Sequence, residues 1–254
     1  MRNNPETLRL IQISDCHVSA DVQANYRTQN ADHNLTRLVR AVRQWKPALL
    51  IVSGDVSEDG SRESYRRTSK LLSAVGVPVL ALPGNHDDPA RMSAYFPIGP
   101  WDGPHAIEFA GWQLTLLDST EPGRISGAFS QQALKQLDGL LQRGSSRHHL
   151  IALHHQPVPV GAPWIDRYRL DSPEEFFSVI DRVPAMRCIV WGHVHQDFRS
   201  SRKGVSLLGA PSSVASSLPA TERFSLDPAG PACRWLELSD DGRVETGILS
   251  AGNI

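Results

Sequence analysis

Five short clusters carry residues able to hold metal ions and move protons: Asp15-Cys16-His17, Gly54-Asp55, Gly84-Asn85-His86-Asp87, His154-His155 and Gly192-His193-Val194-His195. Their donors are carboxylate, amide oxygen and imidazole. That set suits manganese, iron, zinc or cobalt and requires no thiolate. Two such ions held roughly 3.5–4 Å apart acidify a bridging water and clamp a phosphoryl group for in-line attack. Asp-x-His and His-x-His put two side chains on one side of an extended strand end, because side chains alternate with period two. Gly54, Gly84 and Gly192 each stand just before a candidate ligand. A missing Cβ there permits a sharp turn and close approach of backbone to an anion.

Each cluster follows an apolar run, so the elements that position them can be read next. The runs are Leu8–Ser14, Ala48–Ser53, Val77–Leu82, Trp112–Asp118, His149–Leu153 and Cys188–Gly192. Most lack alternation, as expected of strands covered on both faces. Helical patterns lie between them. In "DHNLTRLVRAVRQW" the residues Leu35, Leu38, Val39 and Val42 share one face. "SRESYRRTSKLLSAVG" and "SQQALKQLDGLLQRG" each open on Ser and close on Gly. "SPEEFFSVIDRV" offers Ser172 as N-cap, Pro173 in the first turn and Glu175 for a capping box. Strand then helix, repeated, predicts a largely parallel sheet whose carboxyl-end crevice gathers the five clusters. After Arg202 the short runs "GVSLLG", "CRWLEL" and "RVETGIL" have no helices between them. They predict a second, mixed or antiparallel sheet built by the C-terminal third. With no repeat and no clear linker, residues 1–254 read as a single domain.

The chain has 26 Lys+Arg against 27 Asp+Glu, a formal net charge of −1. No basic surface for a polynucleotide and no polybasic run for a membrane is expected. The segment "MRNNPETLRLIQIS" lacks a signal-peptide layout, and no apolar stretch is long enough to span a bilayer. Three scattered cysteines make neither a disulfide framework nor a zinc cluster. The expectation is a reduced, cytoplasmic protein; monomer or homodimer is left open.

Alone, Asp15 with His17, or His193 with His195, is as compatible with a turn carboxylate and a surface histidine. Five ordered clusters at strand ends are not. His33, His105, His148 and His149 lack such context and receive no role. Trp164, Asp166 and Arg169 either face a substrate or anchor their loop. Asp118 reads as a supporting residue, and Cys16 as inert.

As a set, the clusters resemble the calcineurin-like metallophosphoesterases, whose pattern runs D-x-H, GD, GNH[DE], H and GHxH in that order. The class III cyclic nucleotide phosphodiesterase branch, the bacterial 3′,5′-cyclic-AMP phosphodiesterases, is similar in further stretches: "LPGNHD", "LLDS", "LHHQPVPVGAPWID", "GHVHQD", "GAPSS" and "CRWLEL". The resemblance implies an α/β fold, a four-layer αββα sandwich of two mixed sheets flanked by helices. It implies two divalent or trivalent ions, manganese and/or iron, with zinc or cobalt as alternatives. Asp15, His17 and His195 would hold one and Asn85, His154 and His193 the second, with Asp55 bridging. His86 would be the catalytic acid over the phosphate. Either Glu58 or Asp59 could orient it, with Asp59 preferred. Asn85, His86, His155 and His195 would contact substrate, His155 lining the pocket or bracing His154. The implied reaction is hydrolysis of 3′,5′-cyclic AMP to 5′-AMP by a metal-bridging hydroxide. Alternatives are another phosphodiester, such as a glycerophosphodiester or a 2′,3′-cyclic nucleotide, or a non-catalytic scaffold. The intact set of seven ligand residues argues against the scaffold.

Overall fold

The computed structural model describes residues 7–96, 101, 103–143 and 148–252. The first six residues of the N-terminal segment, and Gly144, expected to close a helix, lie outside them.

The apolar runs are strands. β1 (Leu8–Ile13), β4 (Leu49–Ser53) and β5 (Val79–Leu82) pair in parallel. β12 (Ala232–Leu238) adds antiparallel to the other side of β1, and β13 (Val244–Ser250) to β12. A second sheet has β7 (Trp112–Leu116), β8 (His148–Leu153), β9 (Met186–Trp191) and β11 (Val205–Gly209) in parallel. Antiparallel edges, β6 (His105–Phe109) and β10 (Phe198–Arg202), close its two sides. A short hairpin, β2 (Asn25–Tyr26) and β3 (Gln29–Asn30), stands apart.

Period-two alternation explains the layering. Along β1, Ile11 and Ile13 pack with Leu35, Leu38 and Val42 of α1 (Ala31–Trp45), whereas Leu8 and Leu10 turn the other way. Along β8, Ile151 and Leu153 face α4 (Gln131–Arg143) and α6 (Pro173–Ile180). Leu150 and Ala152 join Leu10, Ile51, Leu114 and Val190 between the sheets. The layers are therefore helix, sheet, sheet, helix. A central strand must be apolar on both faces, and β4 is buried along its whole length.

Helix signals translate unevenly. Asn30 caps α1 by accepting from the His33 N–H, and Ser61 caps α2 (Arg62–Ser73) by accepting from that of Ser64. Ser172 makes no such bond: it sits at φ 47°, outside the extended cap conformation, so the expected capping box does not form. The expected C-terminal sheet is also corrected. β10 and β11 extend the second sheet, while β12 and β13 join the first beside β1. β6 and β10 carry no apolar run that would announce them, because edge strands are part solvated; "FRSSR" is polar throughout after its Phe.

Candidate metal centre

Every cluster lies just past the carboxyl end of a strand: Asp15 and His17 after β1, Asp55 after β4, Asn85 and His86 after β5, His154 after β8, and His193 and His195 after β9. Polar ties bring the two sheets together beneath them. Gln12 Nε2 donates to Ser53 Oγ at 2.8 Å and to the Trp191 carbonyl at 2.9 Å. The glycines permit protein groups to approach one another. A Cβ on Gly54 would lie 2.2 Å from His154 Nδ1, and one on Gly192 would lie 2.0 Å from Ser14 Oγ.

The paired residues do not lie on extended strand ends as expected. Asp15 (φ 55°), His17 (42°), Asp55 (49°), His193 (65°) and His195 (54°) are all left-handed. The strands stop at Ile13 and Trp191, and the chain turns back immediately. Asp15 N–H then donates to the Gly54 carbonyl and His17 N–H to that of Asp55. Such conformations in non-glycine residues cost about 1–3 kcal/mol each and persist where surrounding contacts over-determine them.

The side chains converge. Asp55 Oδ2 lies 3.6 Å from His17 Nε2 and 3.5 Å from His154 Nε2. On one side His195 Nε2 is 3.3 Å from Asp15 Oδ1 and 3.4 Å from His17 Nε2. On the other, His154 Nε2 is 3.3 Å from Asn85 Oδ1, and a ring nitrogen of His193 lies within 4.8 Å of one of His154. Three histidines are oriented from behind. His17 Nδ1 meets Glu58 Oε2 at 2.7 Å, His154 Nδ1 meets the Ser53 carbonyl at 2.8 Å, and His195 Nδ1 meets that of Ala215 at 2.9 Å. Donation from Nδ1–H leaves Nε2 as the lone-pair nitrogen facing inward, the arrangement that suits a metal ligand.

Glu58, not Asp59, reaches the histidine of the Asn85-His86 turn. Its Oε2 lies 3.2 Å from His86 Nδ1. Asp59 instead accepts from the backbone N–H groups of Ala20 and Ser61 and from Ser19 Oγ, so it is spent on its own loop. The expectation for Asp59 is corrected on that ground. His155 as a substrate contact is corrected too. It is fully buried, Nδ1 accepts from Ser119 Oγ at 2.8 Å, and Nε2–H donates to the Ile125 carbonyl at 2.9 Å. No ring nitrogen remains for a ligand, and burial holds the ring neutral by lowering its pKa to about 3.

Asp87 closes the Asn85-His86 turn. Its carboxylate accepts from the N–H groups of Val56, Ser57 and Gly84 and from Tyr65 Oη, which pins the His86 turn to the Asp55 turn. Tyr26 was missed altogether; its ring stacks on His17 at 3.7 Å and 7°. Only an aromatic at a predicted hairpin would have flagged it. Asp166 anchors its loop through the N–H groups of Val160, Gly161 and Ala162, while Trp164 stands edge-on to His195. Asp118 accepts from Thr120. Burial pushes the Cys16 thiol up to about 12, so it stays inert.

Charge follows the same geometry. Burial raises the Asp55 pKa, but the neighbouring His154 and His17 outweigh it and hold the carboxyl well below its ordinary value. Burial alone would lower His86; the Glu58 hydrogen bond and the Asp55 charge lift it to about 9. Burial drives His193 down, and its Nε2 is enclosed without any hydrogen-bond partner. A buried, unpaired imidazole nitrogen costs stability unless something accepts its lone pair. Together with the trios Asp15–His17–His195 and Asp15–Asp55–His154, this donor set fits metal ions.

Comparison with known proteins agrees with this geometry. Residues 8–197 match the calcineurin-like phosphoesterase family. A 3′,5′-cyclic adenosine monophosphate phosphodiesterase of Pseudomonas aeruginosa, CpdA, is 35% identical over 99% of this chain and 94% of its own. The CpdA of Escherichia coli (strain K12) is 31% identical over 95% of this chain and 89% of its own. In fold, the chain is similar to a dimetal phosphatase from Danio rerio, with TM-score 0.67 and 18% identity over 96% of this chain and 99% of that one. Two stacked mixed sheets, candidate ligand residues at the carboxyl ends of their strands, and a match over most of the length lead to one conclusion: the chain belongs to the calcineurin-like phosphoesterase family.

Proposed function

We infer that the chain is a metal-dependent phosphodiesterase that hydrolyses 3′,5′-cyclic AMP to 5′-AMP. One observation carries the chemistry: the Asp55 carboxylate oxygen stands between the inward nitrogens of His17 and His154, at 3.6 and 3.5 Å. The near full-length likeness to cyclic AMP phosphodiesterases supports the substrate. Asp15, His17 and His195 would hold one ion and Asn85, His154 and His193 the other, with Asp55 placed between the two groups. Manganese and iron suit these donors, with zinc or cobalt able to replace them. Bound ions supply positive charge against the phosphate oxygens and acidify the attacking water.

The chain's own groups do the rest. Glu58 accepts from His86 Nδ1–H and keeps that ring protonated at neutral pH. His86 Nε2–H is then available to the 3′ oxygen. As the water oxygen bonds to phosphorus and the P–O3′ bond breaks, His86 gives its proton to the departing oxygen. Asn85 and His195 flank the phosphate, and His155 braces the site from behind. All three cysteines are unpaired and buried, in keeping with a reducing cytoplasm. No helix among the described residues is long and apolar enough to cross a membrane.

The test is kcat/KM for 3′,5′-cyclic AMP beside bis(p-nitrophenyl) phosphate and glycerophosphodiesters, on protein loaded with Mn²⁺ or iron. A preference for cyclic AMP is expected. Fast turnover of the other diesters with negligible cyclic AMP hydrolysis would move the physiological substrate elsewhere.

A further inference from the structure

Three aromatic side chains from separate segments gather around His195. Tyr26 comes from β2, Trp164 from α5 (Pro163–Asp166) and Phe224 from the connection between β11 and β12. Their ring centroids lie 5.9, 6.3 and 6.1 Å from that of His195. Trp164 and Phe224 meet edge to face at 5.5 Å, and the Arg27 guanidinium lies 4.6 Å from the Phe224 ring centroid. All three aromatic residues are partly exposed, and Arg27 is exposed.

The three rings differ in one respect. Tyr26 already has a face covered, by His17 at 3.7 Å. Trp164 and Phe224 touch edge to face, which leaves ring surface for a further planar group. The indole Nε1–H of Trp164 is buried and has no acceptor. Arg27 forms its contacts with the Tyr26 and Phe224 rings. It sits at the tip of the β2–β3 hairpin, where Arg27 and Thr28 have φ 49° and 69°. That turn calls for Asn-Gly, and a β-branched residue at positive φ is strained. Strain of this kind and partly exposed rings are poor packing but good preparation for a flat ligand.

We propose that Trp164, Phe224 and Arg27 form a base-binding subsite that takes the purine of a cyclic nucleotide whose phosphate lies at the metal centre. This rests on the reading of the chain as a cyclic nucleotide phosphodiesterase. A base stacks on an aromatic ring through its π-face, and a guanidinium adds cation–π attraction. A phosphodiester without a base has nothing to place there, so the subsite separates cyclic nucleotides from other diesters.

The experiment compares kcat/KM for 3′,5′-cyclic AMP with that for the 3′,5′-cyclic phosphate of 1-deoxyribose, its baseless counterpart. Wild type, Phe224→Leu, Trp164→Leu and Arg27→Gln are measured. Affinities for 5′-AMP and ribose 5-phosphate are read by calorimetry on the same proteins. Leucine keeps apolar bulk and removes the ring, so the fold is retained. The cyclic AMP preference is expected to fall about tenfold or more in F224L and W164L, the order of one lost base stack, and less in R27Q. The change appears in KM and in 5′-AMP affinity, not in kcat. Equal losses on both substrates would make the rings a brace for His195 and overturn the subsite. A wild type that turns over both diesters equally would overturn it too, with the phosphodiesterase reading intact. Failure of wild type to hydrolyse cyclic AMP at all would instead overturn that reading.

Discussion

Glu58 Oε2 lies 3.2 Å from His86 Nδ1, and the same oxygen is 2.7 Å from Nδ1 of His17. One carboxylate therefore orients both a metal-ligand candidate and the proposed acid, and the two sets of hydrogen bonds hold its own pKa down to about 2 against the upward push of burial.

Glu58→Gln is expected to lower kcat about 10–100-fold, the usual cost of losing a carboxylate behind a ligating histidine. It should also weaken metal retention, so kcat is read at saturating metal. Asp59→Asn loosens the Ser57–Ser61 loop and costs about 1 kcal/mol of stability, with a much smaller effect on kcat. A larger kcat loss in D59N than in E58Q would restore Asp59 to the orienting role.

The alkaline limb of the kcat profile should report His86. Its pKa is raised from the ordinary 6.5 to about 9. A raised histidine is fully protonated below its ordinary value and loses its proton as pH rises through about 9, so kcat falls in that range. His86→Gln should keep both metals, lower kcat by about 10²–10⁴-fold and abolish that limb. Metal loss in H86Q, by elemental analysis, would reassign the residue as a ligand.

Asp55→Asn is expected to lose metal from both positions, because its Oδ2 stands between the His17 and His154 sides. Asn85→Ala and His154→Ala should each lose one equivalent. Turnover should drop about a thousandfold or more in all three, since each removes electrostatic stabilisation of several kcal/mol. Full metal content with normal turnover in any of them would break the ligand assignment.

Leu150 sits between the two sheets with no exposed surface. Leu150→Ala should cost about 2–5 kcal/mol through lost burial and the cavity left behind. Urea denaturation would show a lower midpoint, while metal content at low denaturant is preserved.

The residues of the candidate metal centre were legible because their chemistry is unusual at strand ends. Asp15, His17, Asp55, Asn85, His86, His154, His193 and His195 come from the sequence alone, as do the apolar runs that deliver them. A strand covered on both faces has to be apolar throughout, so β1, β4, β8 and β9 announce themselves. Other assignments needed the third dimension. Glu58 and Asp59 are adjacent carboxylates, and only the turn after Asp55 decides which one faces His86. His154 and His155 are adjacent imidazoles, and only the Ser119 and Ile125 partners show that His155 is spent. The left-handed turns at the ligand pairs, the splitting of the C-terminal strands between two sheets, and the meeting of Tyr26, Trp164 and Phe224 at His195 all depend on contacts between segments distant along the chain. Local sequence fixes residue chemistry and strand periodicity; long-range packing decides which atoms of neighbouring, chemically equivalent residues point into the site.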